Sequence, residues 1–339
     1  MVYKVGIIGC GQIASIFEED AWREHPCTHA GAYDAVKRTR IVAAADISEE
    51  RLDRFSKRWG GKVYTDYKEM LENEDLDIVS VTANTPYHSE MVIKAAKSGV
   101  KAIFCEKPIA TCIAEADEMI QACDEQGVKL IINHTRRWHP FYQKAKELVN
   151  NGEIGELTSI TGYFTSGLLI VGTHFFDTLR FIAGDAGWVI GSIERNQSGD
   201  PSGSGLIGFK SGIAGSVFGS SQKQYLIFEM DIQGTQGRIC IKDNGTTFKL
   251  WTTNKEKKHI DFNVPGELVP RKISIEKKNS MIAAVSDVVA SIENDRDGLC
   301  SGRDGKAALE LALAFHESDR MGEKVELPLQ DKILRIVSR

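Results

Sequence analysis

Val2-Tyr3-Lys4-Val5-Gly6-Ile7-Ile8-Gly9-Cys10-Gly11-Gln12-Ile13-Ala14 is the stretch that decides the fold. An apolar, β-type run ends at Ile8 and passes into Gly9-x-Gly11-x-x-Ala14, a pattern that closes a strand and opens a helix. Glycines at such a junction permit a tight turn and let the backbone approach a pyrophosphate, which a helix N-terminus then stabilises. Alone the pattern is common after strands. It gains weight because the second strand, residues 41–45, ends at Asp46, a carboxylate able to accept hydrogen bonds from an adenosine ribose. Asp46 lies 35 residues beyond Gly11, against roughly 20 in the usual fingerprint. An insertion, residues 18–28 with Pro26 inside it, explains the excess by interrupting the first helix, which restarts around residues 29–36. A carboxylate at Asp46 repels a 2′-phosphate and no arginine follows it directly, so NAD is expected and NADP disfavoured.

Outward from this segment, short β-type runs alternate with helical patterns: residues 62–65, 77–81, 101–105 and 128–132 continue the series of strands. A parallel sheet with crossover helices has this rhythm. Ser48 reads as an N-cap, with Glu49 and Glu50 in the first turn, Leu52, Phe55 and Trp59 on one face and Gly60 as the stop. A second helix over residues 114–126 gathers Met119, Ile120 and Cys123 and stops at Gly127. After about residue 138 the period shortens to two, as in Phe228-Glu229-Met230-Asp231-Ile232, and this half reads as mainly β. Its further strands are expected at residues 157–164, 188–195, 205–209, 213–218, 238–241 and 247–251, with closing helices at 280–293 and 305–320. The basic stretches 255–258 and 271–278 each contain a Glu among the cations and read as solvated surface.

With 339 residues, two domains are the first expectation at roughly 100 to 200 residues each. The formal charge of −5 supplies no general attraction for phosphate backbones or anionic lipid, so neither nucleic acid nor membrane is an expected partner. No apolar run approaches the roughly 18 residues that a spanning helix needs, and the N-terminal run reads as a strand, not a signal peptide. Seven cysteines, scattered mostly through apolar segments, suggest reduced thiols and a cytoplasmic protein.

The fifth strand runs into Glu106-Lys107-Pro108 at the carboxyl edge of the sheet, where ligands bind in doubly wound folds. A surface lysine with a proline fixing the turn is the bland alternative. Set beside the fingerprint and Asn84-Thr85-Pro86-Tyr87-His88 after the fourth strand, however, the triplet resembles the Gfo/Idh/MocA family: glucose-fructose oxidoreductase, inositol dehydrogenase and rhizopine catabolism proteins. The resemblance extends through Arg137-Trp138-His139-Pro140, Gly172-Thr173-His174-Phe175-Phe176-Asp177 and the run from Asp304-Gly305 to Val325-Glu326-Leu327-Pro328. It implies an α/β plus α+β protein. Residues 1–135 would form an NAD-binding Rossmann domain, a doubly wound parallel sheet. Residues 136–339 would form a substrate-binding and oligomerisation domain built on an open, mainly antiparallel sheet, with the substrate between the two.

The resemblance also implies cofactor contacts at Gly9, Gly11, Gln12, Ile13, Ala14, Asp46, Thr82, Asn84, Pro86, His88, Glu106 and Lys107. Lys107 and His174 match the family's catalytic positions. Oxidising a secondary alcohol needs a base for the hydroxyl proton as hydride leaves, and the reverse reaction needs an acid. His174 suits that role and Lys107 the polarising of the reacting oxygen, although the reverse assignment stays open. Asp177, one helical turn on, would orient His174 or bind a substrate hydroxyl. Arg137, with Asn133 and Arg136 near it, would bind substrate or brace the domain junction. Polyol dehydrogenases of the family carry an acidic residue four positions before the histidine; Ile170 stands there, which favours a sugar or nucleotide sugar over inositol.

Two other readings compete: a catalytically silent NAD-binding regulator, and a closed-cycle enzyme that retains its cofactor. No metal is expected, because His25, Cys27 and His29 lie two apart on a loop with no clear fourth ligand. The insertion is expected to form a flap near the cofactor, with Trp22 as a packing anchor. A sheet with one uncovered face favours association, hence a homodimer or homotetramer.

Overall fold

The computed structural model describes residues 1–195, 199–254 and 266–336; the basic stretch 255–258 lies outside them. Contacts divide the chain into two compact units. The first combines Met1–Trp138 with Lys278–Leu309 and Lys332–Arg335, and the second is built mainly from His139–Lys277 and Glu310–Asp331. A single cut at residue 135 leaves the later helix Ser280–Glu293 with the second half, whereas its contacts group it with the first.

In the first unit the strands are β1 (Tyr3–Ile8), β2 (Thr39–Ala45), β3 (Lys62–Tyr64), β4 (Ile78–Val81), β5 (Ala102–Cys105) and β6 (Lys129–Ile132). They form one sheet in the order β3-β2-β1-β4-β5-β6, parallel throughout, and this is the doubly wound order. Both faces of its centre are covered: every residue of β4 and β5 is buried, as the unbroken apolar runs of a parallel sheet require. Between the strands run α1 (His29–Ala35), α2 (Glu49–Trp59), α3 (Tyr67–Asn73), α4 (His88–Ala96) and α5 (Ile113–Gln126). Ser48 caps α2 by accepting from Arg51 N, Glu49 and Glu50 occupy its first turn, and Lys57 and Arg58 its last, each complementing the helix dipole.

The fingerprint does not open a continuous helix. Gly11 O accepts from Ser15 N at 3.1 Å and Gln12 O from Phe17 N at 3.0 Å, and after a short 3-10 turn at Ile16–Glu19 the chain leaves the helical path. It returns at Thr28, whose hydroxyl caps α1 by accepting from Gly31 N. His29 N and Ala30 N then donate to the carbonyls of Ile13 and Ala14 at 3.1 and 2.9 Å, so the helix resumes on the turn it left. The insertion is thus spliced into a helix, as the spacing to Asp46 suggests. Trp22, expected to pack, is 98% exposed, because the residues around it are exposed as well and offer no apolar face.

The second unit begins with α6 (Pro140–Asn150) and contains β7 (Leu157–Thr165), α7 (Thr173–Ala183), β8 (Ala186–Ile193), β9 (Gly203–Phe209), β10 (Ala214–Ser220), β11 (Phe228–Gly234), β12 (Gly237–Lys242), β13 (Thr247–Thr253) and β14 (Leu268–Arg271). After α8 (Ser280–Glu293) come α9 (Gly302–Met321) and β15 (Val325–Glu326). Nine strands align as β14-β13-β12-β11-β7-β10-β9-β8-β15, antiparallel except for the β7–β10 pair. Glycines let aromatic rings sit on the covered face. A Cβ on Gly162 would run into the Phe175 ring of α7, and one on Gly191 into the Phe315 ring of α9. Phe315 in turn stacks on Phe176 at 5.1 Å. On the opposite face Tyr163, Ile190, Leu206 and Phe218 stay exposed, with Tyr163 and Phe218 stacked at 5.5 Å. Among the described residues no helix is long and apolar enough to cross a membrane, and no disulfide joins the cysteines.

Candidate active site

The turn after β1 is built around Gly9. Its φ of 92° is a conformation that side chains resist, and a Cβ there would meet Ala83 N at 2.9 Å. Gly9 N donates to Ala45 O at 2.7 Å and its carbonyl accepts from the Thr82 hydroxyl at 2.6 Å. Asp46 ties the same turn to β2: Oδ2 accepts from Cys10 N at 2.7 Å and Oδ1 from Ser48 N at 2.9 Å. Arg51, five residues on, brings a guanidinium nitrogen to 3.7 Å from Asp46, a cation that the search directly after Asp46 missed. At Gly11, by contrast, a Cβ would meet nothing within 4 Å. Its bareness serves no internal packing, and it would leave room for a diphosphate against the backbone. These residues fit a dinucleotide. Asn84 and Pro86 lie exposed in the 3-10 turn after β4.

Lys107 leaves the carboxyl end of β5 from a braced turn. The Glu106 carboxylate below it accepts from His29 Nε2 at 2.9 Å, from Asn133 Nδ2 at 2.6 Å and from the backbone N–H of Lys107 at 3.2 Å. Burial by itself pushes this carboxyl up; the hydrogen bond and charge of His29, the Lys107 ammonium and Asn133 outweigh it and hold the group at about 2. The network continues inward, from His29 Nδ1 to the Ser80 hydroxyl at 2.9 Å and from there to the Tyr33 hydroxyl at 2.9 Å. Asn133 Oδ1 is buried with no hydrogen-bond partner among the described residues. His88, expected at the cofactor, is buried with its nitrogens 3.0 Å from Pro108 O and 2.9 Å from Ala83 O. Burial lowers its pKa. It ties the Glu106–Pro108 turn to the segment after β4 and does not line an open face.

Arg137, expected either on the substrate or as a brace, is turned into the first unit. Its guanidinium donates to Leu299 O at 2.8 Å and pairs with Asp304 at 2.9 Å. A buried charge needs such partners.

In the second unit a π-helical turn, Leu168–Gly172, leads directly into α7 and sets His174, half-buried, in the first turn of the helix. Asp177 is fully buried one turn later. Asp200 holds the π-helical turn by accepting from Leu169 N at 2.9 Å and Ile170 N at 2.8 Å. Sequence reading missed it, because nothing local marks a contact across some 30 residues. Ile170 itself is 44% exposed.

Comparison with known proteins agrees with this architecture. Residues 3–134 match the oxidoreductase family GFO_IDH_MocA, NAD-binding Rossmann fold, and residues 146–327 match the family's C-terminal alpha/beta domain. The chain is 28% identical to the myo-inositol 2-dehydrogenase of Thermotoga maritima, over 97% of this chain and 99% of that protein. It is 26% identical to the D-apiose dehydrogenase of Paraburkholderia graminis, over 96% and 90%. The WlbA dehydrogenase from Bordetella pertussis, solved in complex with NADH and UDP-GlcNAcA, superposes with a TM-score of 0.79 at 20% identity, over 97% of this chain and all of that one.

Proposed function

The chain belongs to the Gfo/Idh/MocA oxidoreductase family, and on that premise we propose that it transfers a hydride between nicotinamide and a secondary alcohol or ketone carbon of a sugar, nucleotide sugar or cyclitol. The observation that carries this reading is Lys107, presented at the end of β5 by a glutamate that is itself locked by His29 and Asn133. Bound NAD would supply the hydride acceptor; Gly9, Gly11, Gln12, Ile13, Ala14, Asp46 and Thr82 would hold its phosphate and ribose end, with Asn84, Pro86 and Lys107 toward the nicotinamide. Lys107 polarises the reacting oxygen, and His174 accepts the hydroxyl proton in oxidation and returns it in reduction. Asp177 positions His174 from the next turn of α7. Glu106 and His88 act through the shape of the turn that carries Lys107. Exposed Ile170 suits a substrate that brings no group needing a carboxylate there, which favours a pyranose or nucleotide sugar.

The uncovered face of the second sheet, with Tyr163, Phe218, Leu206 and Ile190, serves a second copy of this chain, giving a homodimer or homotetramer. Light scattering that finds a monomer at micromolar concentration overturns this part. The absence of disulfides suits the reducing cytoplasm.

The test of activity is NADH formation, followed by absorbance, over a panel of aldoses, inositols, uronic acids and nucleotide sugars, with Lys107→Met alongside. Removing a catalytic acid–base or polarising group costs roughly 10²- to 10⁴-fold, so the substrate-dependent signal is expected to fall by at least that lower bound in the variant. Binding of NADH without turnover on any compound would point instead to a regulator. A cofactor that copurifies and cycles without release would point to a closed-cycle enzyme.

A further inference from the structure

Two histidines near the end of the insertion part company in the folded chain: His29, at the start of α1, enters the core, while His25 stays at the surface beside Cys27 and Glu18. We propose that Glu18, His25 and Cys27 form a binding site for a divalent ion of the zinc class. One ligand atom from each lies within 4.8 Å of the others. His25 Nδ1 is 2.9 Å from Glu18 Oε2 and 3.8 Å from Cys27 Sγ. A tetrahedral zinc site has N···O and S···N edges of about 3.4 and 3.6 Å, given metal–ligand distances of about 2.0 to 2.3 Å. The two His25 edges therefore lie within about 0.5 Å of these values, and the Glu18–Cys27 edge is at most 4.8 Å.

The hydrogen bonds around the site point the same way. His25 Nε2 lies 3.0 Å from the Asp20 carbonyl, an acceptor, so the ring donates its N–H there. Nδ1 lies 2.9 Å from Glu18 Oε2, and a divalent ion would take the place of the proton that this contact requires. Holding one ring nitrogen on a carbonyl is how proteins orient a metal-binding imidazole. The carboxylate is oriented too. Glu18 Oε1 accepts from Cys27 N at 2.6 Å, Thr28 N at 2.9 Å and the Thr28 hydroxyl at 3.0 Å, which leaves Oε2 for the ion. On binding, the Cys27 thiol gives its proton to solvent; the thiolate and carboxylate then neutralise the 2+ charge, and water fills the fourth position. The bound ion would clip the start of the insertion to its end, just before α1 resumes.

The site stands apart from the oxidoreductase reading, and its test reads binding, not turnover. Tag-free protein stripped with chelator is titrated with Zn²⁺ alone against a chromogenic competitor, then with Co²⁺. One equivalent should bind at micromolar or tighter affinity, and Co²⁺ should give a thiolate charge-transfer band. That band reports Cys27, since the other six cysteines are buried. Cys27→Ser should abolish the band, and His25→Gln and Glu18→Gln should each weaken binding by about tenfold or more, as even outer-shell losses do. Metal-free Cys27→Ser should melt with metal-free wild type, and Zn²⁺ should raise the Tm of the wild type alone. Absence of stoichiometric binding, a band that survives in Cys27→Ser, or an equal Tm gain in both proteins overturns the proposal.

Discussion

Two histidines four residues apart each pair with a glutamate at 2.9 Å: His29 with distant Glu106, and His25 with nearby Glu18. Local chemistry is the same in both. The His29 side chain is 0% exposed and that of His25 38%, and this difference decides what each pair does. In the core, polar atoms are matched by protein where they can be, so the pair extends to Ser80, Tyr33 and Asn133 and ends as a rigid base under Lys107, with Asn133 Oδ1 alone of these left unmatched among the described residues. In the second pair the Glu18 side chain is 5% exposed and held by Cys27 and Thr28, but water competes for the His25 ring, and from that side the pair stays accessible to an ion. The same two residue types thus yield a scaffold in one place and a candidate ligand set in the other.

The sharpest way to break the comparison is to remove each glutamate. Glu106→Ala strands the Asn133 amide and His29 in the interior, and should cost about 3–5 kcal/mol. Urea unfolding monitored by circular dichroism measures this, and a loss below 1 kcal/mol would show that the network carries no special weight.

Acid should reveal the same asymmetry. The Glu106 carboxyl sits at about 2 when folded, below its ordinary 4.5. A depressed carboxylate contributes stability that is present above the unfolded value and lost as pH falls through the window from about 4.5 to 2, here on the order of 3 kcal/mol. Unfolding free energies measured across that window should show the decline in wild type, flattened in Glu106→Gln.

For Glu18→Ala in metal-free protein, the half-buried Cys27 N–H can turn to water while that of fully buried Thr28 cannot, and the expected cost is about 1–3 kcal/mol. Equal losses at Glu18 and Glu106 would erase the distinction between the pairs. Smallest of all is Trp22→Ala, which should stay within about 0.5 kcal/mol, because the ring touches little. A larger shift in Tm would mean that Trp22 packs in a form of the protein other than the one described.

Legibility followed range. The strands of the first unit, the cap at Ser48, the stop at Gly60 and the resumption at His29 were readable because each depends on neighbours within a turn or a strand. Helix α4 was not read although it buries His88, Val92, Ala95 and Ala96 at helical spacing, because it is only nine residues long and no side chain caps its start. Strands β14 and β15 are short edge strands whose place is set by their partners, not by their own composition. Glu106 and Lys107 were recognisable as a motif, but the brace from His29 lies 77 residues away. Arg137 was legible as a possible brace to backbone carbonyls, but not its pairing with Asp304, which lies 167 residues on.

By itself, the sequence determined the two kinds of sheet, the dinucleotide turn with Asp46, and which residues could carry acid–base chemistry, because periodicity, glycine and proline placement and motif spacing act locally. Tertiary structure alone decided which of those polar residues are committed to one another. His29, His88 and Arg137 became internal braces and His25 did not, because burial multiplies the cost of an unpaired polar group and only the folded chain determines what is buried.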